Sequence, residues 1–181
     1  MKKNSCEIID VLVRYFILLV IPLNGLWIFY FVFTPLTIYP VYFILGLFSD
    51  VSIFGNLMVI NRQLPIEFIN ACIAGAAYYF LLILNLATPN ISFRKRIKMI
   101  VLSFTAFLFF NLLRIFLLIG VIYWGYLFFD IAHVVFWYSI STIFVVAIWF
   151  VQVKIFRIKK FPFYSDLKHF YSKTIRWLRN L

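Results

Sequence analysis

The sequence predicts an all-α, multi-pass membrane protein with about four transmembrane helices, and three observations predict it. Of the 181 residues, 65% are hydrophobic and 22% aromatic, and mean hydropathy is +1.02, more apolar surface than a soluble core can absorb. The apolar residues fall into runs of about twenty, the length at which a helix crosses a hydrocarbon layer. The formal charge of +11 gathers at the ends of those runs, where membrane topology explains it before nucleic-acid binding does.

The elements follow in chain order. Met1 to Ser5 is basic, but the apolar run after Asp10 is too long for a cleaved leader and reads as a retained anchor. It forms a first span over about 11–33, in which Pro22 and Gly25 are tolerated kink points. From Leu36 to Phe48 the apolar run is short, is interrupted by Pro40 and Gly46 and closes on Ser49-Asp50, which predicts an outer interfacial helix rather than a crossing. Asn56 to Ile60 and Leu64 to Ile69 flank Asn61-Arg62-Gln63 as a small hairpin. Further spans are predicted over about 68–87, 97–121 and 131–155. Residues 1–160 form a single integral membrane domain. In the tail, 161–181, Ser165 can cap a helix with Leu167, Phe170, Tyr171, Thr174, Ile175 and Leu178 on one face and Lys168, Lys173, Arg176 and Arg179 on another. That is a basic amphipathic helix on the inner leaflet.

Charge orients the spans. With both termini inside, Lys2, Lys3, Arg14, the Arg94 to Lys98 cluster and every basic residue from Lys154 onward lie on the inner side. Asp50, Glu67 and Asp130 lie on the outer side, as the positive-inside bias requires. Two basic residues are left, Arg62 outside and Arg114 within the membrane.

Arg114 costs several kcal/mol in hydrocarbon unless it meets a partner or a wet cavity. At 1.5 Å per residue it lies about 10 Å below the outer surface. Cys72 and His133 each lie about one turn into their helices from the same surface. A thiol, a guanidinium and an imidazole at one depth suit nucleophilic acyl transfer. The thiol becomes a nucleophile beside a cation or a helix amino terminus. Arg114 cannot act as a base and instead stabilises negative charge, and His133 accepts and returns a proton. Asp130, three residues before His133, can orient it. The plainer readings of the same residues are a small packing cysteine, an interfacial histidine and an arginine snorkelling to headgroups. Asn111 either bonds the Arg114 neighbourhood or joins two helices. Zinc lacks a third good ligand, Cys6 lies on the side opposite Cys72, and neither Cys6 nor His169 acquires a role. No cofactor is implied.

Asn70-Ala-Cys-Ile-Ala-Gly75, then Asn111-Leu-Leu-Arg114, then His133 at the next helix start, resembles the exosortase and archaeosortase family of membrane cysteine transpeptidases. The likeness covers about residues 35–155. Ala77 to Leu86 and Phe136-Trp-Tyr-Ser-Ile-Ser-Thr142 look most like the short pacearchaeosortase branch. The resemblance implies Cys72 as nucleophile, Arg114 as the arginine of the Asn-x-x-Arg motif and His133 in the third position. It departs where many members have glycine two residues after the cysteine; here Ala74 holds that place and Gly75 follows. It further implies a substrate ending in a sorting signal, made of a short motif, a membrane helix and a basic cluster. That signal would be cut near the outer face of the cell membrane, and the new carboxy terminus passed to a lipid or cell-surface acceptor. The other class compatible with the residues is a non-enzymatic membrane subunit or small transporter, in which Arg114 binds an anionic ligand or partner helix.

Overall fold

The structure is a computed structural model that describes residues 2–23, 25–88, 91–124 and 141–158. The described elements are mostly helical: α1 (Lys2–Leu23), α2 (Trp27–Gly46), α3 (Asn70–Ile73), α4 (Gly75–Ala87), α5 (Phe93–Trp124) and α6 (Ser141–Ile155). Between α2 and α3 lie β1 (Val51–Phe54), β2 (Leu57–Ile60) and β3 (Leu64–Glu67). Among the described residues three helical stretches are long and apolar enough to cross a membrane, Trp27–Gly46, Asn70–Ala87 and Phe93–Tyr123. Only 28% of the first is buried within protein, so most of this apolar helix faces away from the described protein. Phe31, Tyr39 and Phe43 on α2, Phe109 on α5 and Phe150 on α6 all face outward.

The first predicted span is corrected. A helix over 11–33 with a separate interfacial helix over 36–48 does not form. The break falls earlier, at Gly25 (φ 62°) and Leu26 (φ 60°), where the Gly25 N–H donates to the Pro22 carbonyl and glycine takes the left-handed conformation without a Cβ clash. The chain then runs unbroken from Trp27 to Gly46 through Pro35 and Pro40. Each proline removes a backbone donor, yet the helix continues through both.

Contacts give the directions. Tyr79 on α4 donates to the Leu18 carbonyl of α1 at 2.6 Å and sets its ring against Phe29 of α2. Farther along α2, Phe33 stacks on Tyr78 with ring centroids 3.6 Å apart. Ile38 and Val41, farther still, pack with Ile115, Ile119 and the β2 residues Met58 and Ile60. Thus α1 and α2 both run the same way as α5. α4 and α6 run against them: Ser103 of α5 meets Asn85 at 3.2 Å, and the Gln152 amide of α6 donates to the Met99 carbonyl. Lys95 donates to the Phe156 carbonyl at 2.6 Å, bringing the start of α5 and the end of α6 to one basic end of the bundle.

The opposite end carries the sheet, three antiparallel strands in the order β1-β2-β3. Ile60 pairs with both Val51 and Leu64, and Met58 and Ile60 are fully buried. The predicted hairpin corresponds to β2 and β3; β1 is additional, so the described fold is not wholly α-helical. The three-residue turn at Asn61 is tied back to Asp50, whose N–H donates to Asn61 Oδ1 at 3.1 Å. The second predicted span begins at Asn70 and breaks at Ala74. The third extends to Phe93–Trp124. Of the fourth, 141–155 is observed as α6, while 131–140 and the tail 161–181 lie outside the described residues.

Candidate active site

The site is built on the break in the 70–87 helix. α3 is a single turn, and Ala74 at its end is left-handed (φ 57°, ψ 41°). A break after one turn puts the carbonyls of Ala71 and Cys72 at a helix terminus, where intrahelical donors run out. Two side chains of α5 supply the missing donors. Arg114 Nη2 donates to the Ala71 and Cys72 carbonyls, each at 3.1 Å, and Asn111 Nδ2 donates to the Cys72 carbonyl at 2.9 Å. Asn111 and Arg114 are three residues apart and so share one face of α5. The sequence motif is thereby a clamp on the peptide unit of the candidate nucleophile.

Arg114 is anchored on its other side by Nη1, which donates to Ser141 Oγ at 3.0 Å, at the first residue of α6. Among the described residues its Nε–H has no acceptor. Cys72 is half-buried and packs against the sheet-end cluster of Val41, Met58 and Ile60. Tyr78 is fully buried with its hydroxyl unpartnered, its ring held edge-on by Phe104 and Phe107.

A cavity of about 300 Å³ opens beside the guanidinium. Its walls are the run Ala74 to Ala77 on α4, Tyr30 and Phe80, with Arg114, Ser141 and Thr142 at one side. Cys72 does not line it. A Cβ at Gly75 would stand 2.8 Å from Tyr30 Cε1, so a larger residue in this wall requires the Tyr30 ring to move.

Of the residues picked from sequence, Cys72, Arg114 and Asn111 come together. His133 and Asp130 lie outside the described residues, as does the side chain of Cys6. Ser141 and Tyr78 were missed. Ser141 carried a usable signal: a buried arginine needs acceptors, and Ser141-Thr142 is a hydroxyl pair in an otherwise apolar run. Tyr78 carried none, since a tyrosine at a helical spacing from Leu81 and Ala74 reads as packing. Comparison of the chain with protein-family models, with curated proteins and with solved structures found no match.

Proposed function

We propose that the protein is a membrane cysteine transpeptidase of the exosortase and archaeosortase kind. It cleaves carboxy-terminal sorting signals near the outer face of the membrane and transfers the new terminus to a lipid or cell-surface acceptor. The observation that carries the reading is the pairing of Cys72 with Arg114 at a helix break. There Arg114 and Asn111 both hold the backbone carbonyl of the thiol-bearing residue. Cys72 Sγ bonds to the substrate carbonyl carbon and the C–N bond to the following residue breaks. The leaving amine takes a proton, the role assigned to His133, and the acceptor's nucleophile then displaces the thiol from the thioester. With three of the five N–H donors of Arg114 engaged, its Nε–H is a donor free for negative charge developing on the substrate oxygen.

In this reading α1 with α2, α3 with α4, α5, and the segment ending in α6 make four crossings, with both termini inside. The cationic end of the bundle, with Arg14, Arg94, Lys95, Arg96 and Lys154, then faces the inner side, in keeping with the positive-inside bias. The test is co-expression with a protein ending in a short motif, an apolar helix and a basic tail. Wild-type enzyme shortens it and Cys72→Ala does not, and mass analysis of a trapped adduct finds an acyl group on Cys72. Normal processing by Cys72→Ala would sink the proposal. A second reading, a non-enzymatic subunit or small transporter gripping an anion through Arg114, is favoured by one observation: the cavity is lined by Arg114 and not by Cys72. It expects Cys72→Ala to be silent and Arg114 variants to be inactive.

A further inference from the structure

The cavity beside Arg114 has an unusual wall. Four consecutive residues, Ala74 to Ala77, carry nothing larger than a methyl group, so a ligand there approaches the α4 backbone itself. The rings of Tyr30 and Phe80 close the apolar part. At the polar side stands Arg114, 6% exposed, with an Nε–H that has no acceptor. Among the described residues its hydrogen-bond partners are two carbonyls and a hydroxyl, all neutral. A full positive charge at this depth, surrounded by neutral acceptors, is electrostatically incomplete.

We propose that the cavity is a carboxylate site. It takes the acid end of an apolar ligand against Arg114 Nε, with the ligand's body along Ala76, Ala77 and Phe80. Among the described residues one cation lines the cavity, so it matches a monoanion; a dianionic phosphate monoester would bury a second, uncompensated charge. The volume of about 300 Å³ equals about ten water volumes, room for a short alkyl chain or two to three small residues but not for a folded partner. Two sources share this chemistry, an alkyl carboxylate and the free carboxy terminus of an apolar peptide. The inference rests on the role given to Arg114 in the proposed function and not on Cys72 as nucleophile. In the transpeptidase reading the ligand corresponds to the terminus released when water replaces the acceptor.

The test uses the full chain in a neutral detergent and titrates octanoate, N-acetyl-trialanine acid and the amide of each, with binding read from intrinsic fluorescence. The expected result is that one or both acids saturate and bind about tenfold tighter than the matching amide, the size of a lost charge-assisted hydrogen bond. Whichever acid binds identifies the source. Cys72→Ala keeps that preference, which separates failure of the nucleophile reading from failure of this one. Arg114→Gln loses it, and because that change also loosens the Cys72 clamp, Ala76→Phe is the companion variant. It fills the cavity from an exposed α4 position, and it is expected to abolish saturable binding while unfolding at the wild-type temperature. Equal binding of acid and amide overturns the proposal, as does unchanged acid binding by Ala76→Phe. Preference for dioctyl phosphate over both acids overturns the carboxylate assignment.

Discussion

Arg114 commits three of its five donors, two of them to backbone. Nη2 serves two carbonyls and Nη1 one hydroxyl, a fork that lysine's single ammonium cannot reproduce. Arg114→Lys should therefore lower thermal stability in detergent as well as processing by about a hundredfold. Asn111→Ala, which removes one bond to the same carbonyl, should cost about 1–2 kcal/mol. A ratio of effects reversed between these two would contradict the clamp. Tyr78→Phe has the opposite sign. Its hydroxyl is buried without a partner, so deleting it while keeping the stack on Phe33 should leave stability unchanged or raise it by about 1 kcal/mol, measured by thermal unfolding. The need for partners around Arg114 was legible from its charge and surroundings in the sequence. That those partners would be the carbonyls of the cysteine's own turn was not, because backbone acceptors leave no mark in residue types.

At the scale of elements, the breaks matter more than the helices. Proline marks were poor guides: Pro35 and Pro40 lie inside an intact helix, while the chain breaks at Gly25 and Leu26 and again at Ala74. Hydropathy registers how much of a segment is apolar, whereas a break depends on which few residues adopt positive φ, and Leu26 and Ala74 have no residue-type signature for it. β1 escaped notice for a related reason, since Val51-Ser-Ile-Phe54 is too short for alternation to stand out. Ala74 bears the ordinary left-handed penalty, so Ala74→Gly should fall between neutral and about 1 kcal/mol stabilising, the gain offset by a freer unfolded chain. Ala74→Val should be destabilising by about 1–2 kcal/mol. Gly75→Ala should destabilise by about 1–3 kcal/mol through the Tyr30 ring, and trimming that ring with Tyr30→Ala should recover part of the loss in a double-variant thermal melt.

At the scale of the whole molecule, the cluster of Arg14, Arg94, Lys95, Arg96 and Lys154 and the sheet occupy opposite ends, and the proposed orientation can be read directly. In intact cells, a membrane-impermeant maleimide should label Asn56→Cys in the β1–β2 turn and leave Ser92→Cys, ahead of α5, unlabelled until the membrane is permeabilised; the reverse pattern would invert the topology. The exposed Arg62–Asp50 pair at the sheet end, 3.6 Å apart, should contribute nothing measurable when Arg62→Ala is compared by melting. The basic end is different in kind. Arg14 from α1 and Arg96 from α5 both enter the bundle and donate to the Leu86 carbonyl at the end of α4, supplying cations where the helix dipole is negative. At the other end of the same stretch, Asn111 and Arg114 hold α3 to α5. The α3–α4 segment is thus bolted at both extremities to α5. Under the proposed function a substrate helix would enter by parting α2 or α6 from that pair, so spin-label pairs spanning α4 and α5 should keep one distance through turnover while pairs spanning α4 and α6, or α4 and α2, change.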